Sequence, residues 1–543
     1  MLQALNRGRS VCLAGLLAGG LLLGLSQAAS AASTDNRRDI VVGVNALPVG
    51  LDPVAQDGNV SIRVTFSIYD TLIRRDFMSD GKGMGSKLVP GLAESWKRID
   101  DRTMEFKLRQ GVKFHDGTEF TSDDVVFTFS PERLIGKDSV IPDGRAYFGH
   151  LDRVEAVDKY TVRFITKEPD PVLDQRLATY GSWIVSKKSW VDAVKGDTSN
   201  PKWLAEALKV VNRKPVGTGP LKFVEWKEGD YQKFAAFDDW YGGKPNFKTV
   251  TFKQVPELAS RIAGLVSGES DLIVNIPPDQ LPVFNRYKEL QVKGMPLANA
   301  QVLVLNTNHP LLKDKRLRQA LSLAIDRPAL IKALWAGQAY TPNGHQMADF
   351  GDMYNPDRKP PQYDPEKAKA LLKEAGYKGE EIAVRTMSSY YINALQAVQI
   401  IQQMWKKVGV NMKLEIVENF TQTRTPDVMI YPWSNSFRFP DPMGGIWPLW
   451  GDSSQIQKTY KYWTAPEEFN RLGHIVQSSM DPKERYKAFQ GMLDVFEDDM
   501  PMILLYNPFE TYAMKRSIDW SPYPLFFMDF RPDVFKVVET AKK

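Results

Sequence analysis

Two pairs of acidic residues are of the type that acid–base catalysis uses, but their spacing does not suit it. The adjacent carboxylate pairs Asp100-Asp101 and Asp123-Asp124 are candidates for the two acids of a glycosidase. Neighbouring side chains point to opposite faces of a strand and diverge by about 100° on a helix, so neither pair converges on one bond. The sequence has no G-x-S-x-G, no H-E-x-x-H and no phosphate-binding glycine-rich loop. We interpret both pairs as turn and helix-cap residues, and we expect no catalytic residues.

Histidine and cysteine are arranged in a way that disfavours a metal site. No two of the five histidines have the spacing of metal ligands on one helix. They are His115, His150, His309, His345 and His474. The single cysteine, Cys12, lies close to the N-terminus, so residues 32–543 contain no thiol for a disulfide, a metal ligand or a nucleophile. We expect no metal and no cofactor.

One aromatic loop is a candidate ligand site. Residues 433–442 combine aromatic, small and proline residues, and they follow Asp427-Val428-Met429-Ile430, which we interpret as a buried strand. Ligands of open α/β sheets lie beyond the carboxyl ends of strands, which is where this loop would be. An ordinary loop with packed aromatic residues is an equally good interpretation. The candidate ligand-binding residues of the loop are Trp433, Asn435, Ser436, Phe437 and Arg438.

Two kinds of scaffold are predicted along the chain. Residues 104–109 and 160–164 alternate apolar and polar side chains with the period of half-buried strands, and the hydroxyls and carboxylates of residues 121–124 are placed to begin a helix. From about Asn306 the pattern changes to helices that lead into strands. Asp364-Pro365 has the residues of a helix start, with an N-cap followed by proline. The sequence predicts an α/β fold whose earlier part is rich in strands.

The N-terminus resembles a secretory signal. Arg7 and Arg9 precede an apolar stretch at residues 11–25, and small residues follow up to Ala31. This stretch is shorter than the roughly 20 apolar residues that a membrane anchor needs. We therefore predict cleavage after Ala31, in preference to an anchor.

The charge balance excludes a class of partner. The chain has 543 residues, with 70 Lys and Arg against 65 Asp and Glu and no long basic block. Binding to a phosphate backbone requires a concentrated positive surface. Nucleic acid is therefore not an expected partner, and the length predicts more than one domain.

Several stretches together resemble the extracytoplasmic solute-binding proteins of family 5, which serve ABC importers of peptides, nickel and opine-like compounds. The resemblance runs in order along the whole chain after the predicted signal. It rests on residues 88–96, 106–117, 122–126, 217–220, 240–245, 316–320 and 324–327.

The resemblance implies an α/β fold of two lobes with an extra β-rich subdomain, the class II, oligopeptide-binding-protein-like type of periplasmic binding protein. It implies a periplasmic, monomeric protein that encloses a small peptide-like or opine-like solute between its lobes and delivers it to the permease subunits of an ABC transporter. In this family His115 and Asp116 belong to a turn. The expected division is a signal peptide at 1–31, lobe 1 at 32–299 with the subdomain at about 67–211, lobe 2 at 300–507 and a return to lobe 1 at 508–543.

The resemblance also implies where the ligand binds. Peptide-binding members carry an acidic residue three places before an Asp-Pro pair, and it pairs with the α-ammonium of the peptide. Here Arg438 stands three places before Asp441-Pro442, and a guanidinium favours a carboxylate or phosphate. An internal salt bridge from Arg438 to Asp441 is the alternative. Dipeptide-binding members hold the ligand carboxylate with an Arg at the position of Ser388, for which Arg385 could substitute.

Two other functions stay open at this point. One is an exported hydrolase, which the lack of a converging acid pair disfavours. The other is a metal-complex or haem carrier with the same fold. The identity of the ligand does not follow from the sequence.

Overall fold

The structure is a computed structural model that describes residues 35, 37–56, 58–388 and 390–538. The predicted signal peptide, Cys12 and the predicted cleavage point after Ala31 lie outside the described residues. The strands, in chain order, are β1 Arg38–Val44, β2 Ile73–Asp76, β3 Lys87–Pro90, β4 Ala93–Asp100, β5 Thr103–Leu108, β6 Leu151–Asp158, β7 Thr161–Thr166, β8 Leu221–Lys227, β9 Tyr231–Ala236, β10 Phe247–Gln254, β11 Leu272–Ile273, β12 Leu290–Pro296, β13 Asn299–Leu305, β14 Ile382–Met387, β15 Met412–Val417, β16 Ile430–Ser436, β17 Met502–Tyr506, β18 Phe509–Lys515, β19 Ile518–Asp519 and β20 Lys536–Val537.

The α-helices begin where the sequence offers capping groups. The N-cap of α2 is Thr121, which forms a reciprocal capping box with Asp124, and Asp364 caps α10 through the backbone N–H of Lys367. The helices are α1 Asn59–Thr65, α2 Ser122–Thr128, α3 Arg145–Phe148, α4 Leu173–Arg176, α5 Lys187–Ala193, α6 Trp203–Val211, α7 Leu258–Ser267, α8 Lys315–Leu323, α9 Arg327–Trp335, α10 Pro365–Glu374, α11 Ala394–Lys407, α12 Ile446–Trp450, α13 Gln455–Lys458, α14 Glu467–Ser478 and α15 Pro482–Asp499. In the described part of the chain, none of these helices has both the length and the apolar character that crossing a bilayer takes.

Three larger sheets organise the described residues. The first sheet has the order β12-β18-β11-β1-β10-β9-β8, and β1 is parallel to both β10 and β11. The second sheet has the order β15-β14-β16-β13-β17, with α8, α9 and α11 contributing to the core beside it. The third sheet, β4-β5-β7-β6, is antiparallel and falls within residues 67–211. These mixed and antiparallel sheets with their packed helices confirm the predicted α/β class.

The chain passes twice between the first and second sheets. It leaves β12 and enters β13 through Leu297 and Ala298, and it leaves β17 and enters β18 through Asn507 and Pro508. The two passages touch, because the N–H of Leu297 donates to the carbonyl oxygen of Pro508 at 2.9 Å. The division into lobes at residues 300 and 508 stays a prediction.

The strand before the aromatic loop starts later and runs further than predicted. Residues 427–429 precede β16, which begins at Ile430 and continues to Ser436, so Trp433, Asn435 and Ser436 belong to a strand and not to a loop. The reason is pairing, because β16 lies antiparallel to β13 from Ile430 to Ser436 and the ladder satisfies its backbone groups.

His115 is part of a tight turn, as predicted. Its ring is 3% exposed, its Nδ1 accepts from the N–H of Gly217, and its Nε2 lies 2.8 Å from the carbonyl oxygen of Gly219. Asp116 is exposed and accepts from the N–H of Thr118 at 3.0 Å. One ring nitrogen must accept and the other donate, so the neutral imidazole fits this position. Burial lowers the pKa of His115 to about 4, against the weaker opposing effect of the Gly219 carbonyl.

We expect His115→Gln to destabilise the protein in a pH-dependent way. The pKa of His115 is 6.5 when unfolded and about 4 when folded, so its contribution is complete above pH 6.5 and is lost as the pH falls towards 4. Near pH 7.5 the variant should lose about 1–3 kcal/mol of unfolding free energy, because one glutamine amide does not take the places of both ring nitrogens and leaves the N–H of Gly217 or the carbonyl oxygen of Gly219 without its partner. The difference from wild type should shrink by up to about 1.4 kcal/mol per pH unit below 6.5. Urea unfolding of both proteins from pH 7.5 to 4.5 measures this difference in unfolding free energy. If the difference did not change with pH, the imidazole would not be buried in its neutral form.

Candidate functional site

A buried asparagine fixes the end of β16. Asn299 is 1% exposed and lies opposite Ser436 in the β13–β16 pair. Its Nδ2 donates to the Oγ of Ser434 at 2.7 Å and to the Oγ of Ser436 at 2.9 Å. The amide thus connects two successive side chains on one face of β16. It fixes the end of the strand, where the following loop begins.

Trp433 and Asn435 lie on the opposite face of β16. The indole N–H of Trp450 donates to the Oδ1 of Asn435 at 2.9 Å, and the rings of Trp433 and Trp450 meet edge to face with centroids 6.0 Å apart. Asn435 is fully buried, so the contacts with Trp450 attach this face of β16 to α12. Their predicted contact with a ligand stays a prediction.

Phe437 begins the loop and is packed on both sides. Its N–H donates to the carbonyl oxygen of Ala298, in the passage between the sheets, at 2.8 Å. Its ring is 3% exposed and contacts the rings of His345 and Phe350 at centroid distances of 5.0 Å and 5.6 Å. The loop therefore starts at a rigid position next to the chain crossing.

Arg438 faces residues from a distant part of the chain. Its guanidinium lies over the ring of Tyr147 at 4.4 Å and over the ring of Tyr180 at 5.5 Å. Its carbonyl oxygen accepts from the Oγ1 of Thr179 at 2.7 Å. Two aromatic rings thus hold the cation by cation–π attraction.

A small cavity lies beside this contact. Its volume of about 10 Å³ is enough for about one water molecule and far too small for a peptide. In the described conformation the surroundings of Arg438 are therefore closed. The lining residues are Tyr147, Phe148, Arg176, Thr179, Tyr180, Arg438, Phe439, Met443 and Pro448.

Asp441 has a different basic partner from the one considered in the sequence. Both of its carboxylate oxygens accept from Nη2 of Arg485 at 2.9 Å, and one accepts from the N–H of Met443 at 2.9 Å. The side chains of Asp441 and Arg485 are 4% and 8% exposed. Burial raises the pKa of Asp441, and the guanidinium of Arg485 opposes that rise. The pair fixes the far end of the loop that carries Arg438.

Arg385 donates to oxygens of the adjacent strand β15 and of the segment that precedes β16. Its guanidinium donates to Glu415 at 3.0 Å, to Asp427 at 2.9 Å and to the hydroxyl of Thr425 at 2.5 Å. The hydrogen bond from Arg385 lowers the pKa of Asp427 to about 2. Ser388 is exposed in the turn after β14. A ligand carboxylate at Arg385 would have to replace one of these partners, and the roles of Arg385 and Ser388 stay predictions.

No pattern in the sequence predicts the aromatic partners of Arg438. Thr179 and Arg438 are 259 residues apart, and Tyr147 and Tyr180 belong to no motif. Asn299 was also not identified from the sequence as a residue of the site. The signal that could have found it is a polar side chain just before the apolar run 302–305, which is typical of a buried strand.

The described residues contain no group of three or more His, Cys, Asp or Glu side chains placed to hold a metal ion.

Comparison with known proteins gives consistent similarities. Residues 87–457 match the profile of the bacterial extracellular solute-binding proteins, family 5 (middle). The chain is 30% identical over 521 residues to the oligopeptide-binding protein AppA of Bacillus subtilis, with 91% of this chain and 90% of that protein covered. It is 30% identical over 514 residues to the dipeptide-binding protein of Escherichia coli, with 90% and 92% covered. The solved structure of AgaA from A. tumefaciens R10 in complex with agropinic acid superposes with a TM-score of 0.77 at 25% identity, covering 92% of this chain and 99% of AgaA.

We expect the buried Asp441–Arg485 pair to matter for stability. Asp441→Ala leaves the guanidinium of Arg485 buried without its carboxylate, which should cost about 3–5 kcal/mol of unfolding free energy. The matched control is Glu468→Ala, which breaks an ion pair with Arg471 whose side chains are half exposed and should cost less than about 1 kcal/mol. Urea unfolding of the two variants measures the difference, and equal losses would mean that Asp441 does not anchor the loop.

Proposed function

The chain belongs to the bacterial extracellular solute-binding proteins of family 5, and we propose that it captures an anionic, peptide-like or opine-like solute in the periplasm and delivers it to the permease of an ABC transporter. The fold is the two-lobed α/β fold of periplasmic peptide-binding proteins. Members of this family are transport binding proteins, so the chain is not an enzyme and the interpretation as an exported hydrolase is wrong.

The proposal rests on the positive charge of Arg438. This guanidinium stands at the family position that the resemblance assigns to an ammonium-binding acid. Two like charges about 4 Å apart repel by about 4 kcal/mol near a protein surface, so the α-ammonium of an ordinary peptide is disfavoured there. A carboxylate or phosphate at the same distance is attracted, and the planar guanidinium is able to donate two parallel hydrogen bonds to it.

The surroundings of Arg438 support an anion contact. The carboxylate of Asp441, which was considered above as an internal partner of Arg438, accepts from Nη2 of Arg485. The guanidinium lies 4.4 Å and 5.5 Å from the centres of the Tyr147 and Tyr180 rings, and cation–π attraction to these rings does not depend on its N–H groups. Cation–π contact and an edge-on hydrogen bond use different parts of the group, so both are able to exist together.

The names of the relatives are compatible with this choice of solute. Two relatives are named for oligopeptides and dipeptides, and a solved relative holds agropinic acid. Proteins similar to this chain thus include binders of peptides and a binder of an organic acid, and the charge at Arg438 favours the second kind.

The predicted division into lobes fits such a role. We propose lobe 1 at 32–299 with its subdomain at about 67–211, lobe 2 at 300–507 and a return to lobe 1 after residue 508, with export directed by the signal at 1–31. A cavity of about 10 Å³ does not hold such a solute, so we propose that a ligand reaches Arg438 in a more open conformation than the described one.

We expect Arg438→Ala to weaken solute binding by about 2–5 kcal/mol, because a buried anion would lose its charged partner. The probe is the best binder from a panel of carboxylate compounds, N-acetylated peptides and unmodified peptides, chosen by thermal shift. Calorimetric titration of wild type and variant measures the loss.

Arg471→Ala is the matched control, since Arg471 pairs with Glu468 at exposed positions of α14, and it should leave the affinity unchanged. Equal affinities of wild type and Arg438→Ala would contradict the proposal. So would tight binding of unmodified di- or oligopeptides by the wild type.

A further inference from the structure

One face of the second sheet changes from apolar to polar along its strands. In β13, Leu303 and Leu305 belong to the core formed with α8, α9 and α11, and Gln301 follows on the same face towards the start of the strand. In the antiparallel strand β16, Ile430 is in that core and Ser434 follows on the same face towards the end of the strand. We call this region around Gln301 and Ser434 the polar end of the sheet.

Tyr506 and Trp335 reach the polar end from two other elements. Tyr506 ends β17, is fully buried, and is the register partner of Gln301 in β13. Trp335 ends α9 and is 1% exposed, and its ring lies against the ring of Tyr506 with centroids 5.8 Å apart. Two strands and a helix therefore bring three buried polar side chains, none of them charged, to one place.

Tyr391 reaches the same place from the segment between β14 and α11. Nδ2 of Asn393 donates to the carbonyl oxygen of Leu334 at 2.8 Å, which attaches this segment to the last turn of α9. Burial raises the pKa of Tyr391, and the nearby Tyr506 adds to that rise. The phenol groups of Tyr391 and Tyr506 are therefore neighbours.

Four polar atoms at the polar end have no hydrogen-bond partner within the part of the chain that the structure describes. They are Oε1 of Gln301, Nε1 of Trp335 and the hydroxyl oxygens of Tyr391 and Tyr506, and all four are buried. Leaving a buried polar group unpaired costs free energy, and native proteins keep few such groups. Four of them in one place are donors and acceptors that a bound molecule would satisfy.

We propose that the polar end binds hydroxyl groups of the solute, so that the solute is a hydroxylated organic acid of the sugar-acid type. This inference rests on the proposed function and names the class of solute for the same site. The four atoms comprise an acceptor, a donor and two hydroxyls, and a hydroxyl of the solute is able to pair with each kind because it both donates and accepts. Aromatic rings beside such polar groups are typical of small-molecule sites.

The polar end is also close in the chain to the proposed anion contact. Ser436, whose hydroxyl is joined to that of Ser434 through the amide of Asn299, lies two residues before Arg438. A solute whose carboxylate pairs with Arg438 is therefore able to place its hydroxyls at the polar end.

The test uses probes that separate hydroxyl groups from charge. Gluconate and glucuronate carry a carboxylate and hydroxyls, hexanoate and N-acetyl-alanyl-alanine carry a carboxylate without hydroxyls, and mannitol carries hydroxyls without charge. The protein is stripped of ligand by unfolding and refolding and is titrated by calorimetry. We expect at least one sugar acid to bind about tenfold or more tightly than hexanoate and the acetylated peptide, because these leave the buried polar groups unpaired.

Tyr506→Phe and Tyr391→Phe each remove one hydroxyl and keep the ring. Each should weaken binding of the sugar acid by about fivefold to thirtyfold and leave the affinity for hexanoate unchanged. The melting temperature without ligand should not fall, because neither hydroxyl has a partner among the described residues. The matched control is Tyr69→Phe, whose buried hydroxyl donates to the carbonyl oxygen of Leu51 at 3.0 Å. It should lower the melting temperature by about 1–3 °C and leave the affinity for the sugar acid unchanged.

The proposal is overturned if neither sugar acid binds more tightly than hexanoate. It is also overturned if both variants leave the affinity for the sugar acid unchanged, as expected if ordered water occupies the polar end, or if both lower the melting temperature as Tyr69→Phe does. In each case Arg438→Ala would still weaken binding of hexanoate if the proposed function is correct. If the proposed function fails instead, mannitol should bind as tightly as gluconate, Arg438→Ala should have no effect, and the two tyrosine variants should still weaken binding of mannitol.

Discussion

The antiparallel pairing of β13 with β16 and β17 is the constraint on which the candidate site depends. All seven residues of β13 are buried, and the strand begins directly after the passage from the first sheet. It pairs on one side with β16, which leads to Arg438, and on the other with β17, which leads back to the first sheet. One strand therefore fixes the start of the loop and the start of the return passage.

The polar side chains at the end of this ladder explain why the loop departs where it does. Asn299 binds the hydroxyls of Ser434 and Ser436, and Phe437 binds the backbone of Ala298. The loop that follows Ser436 belongs to no strand up to Asp441. The buried Asp441–Arg485 pair holds the far end of this loop. Arg438 thus lies between two fixed anchors, which restricts how far its guanidinium is able to move.

A cation in this place gives one side chain two roles. Its ring contacts connect distant parts of the chain, and its edge is suited to an anion. In the proposed function, a ligand with a negative charge gains a contact at Arg438, and a ligand with a free ammonium is repelled there.

Local signals predicted much of this arrangement, and long-range contacts account for what was missed. The caps of α2 and α10 follow from Thr121 and Asp364 because capping involves residues only three apart. The strand nature of Trp433 to Ser436 did not follow from local composition, because the pairing partner lies more than a hundred residues away. The partners of Arg385 lie 30 to 42 residues further along the chain and were not predictable for the same reason, and neither were Tyr147 and Tyr180.

Native mass spectrometry of protein purified without unfolding tests the central claim most directly, because closed lobes retain their ligand and the bound mass reveals its chemistry. The account predicts a bound compound that carries a carboxylate or phosphate and has no free α-ammonium group. A peptide with a free N-terminus as the principal bound species would contradict it.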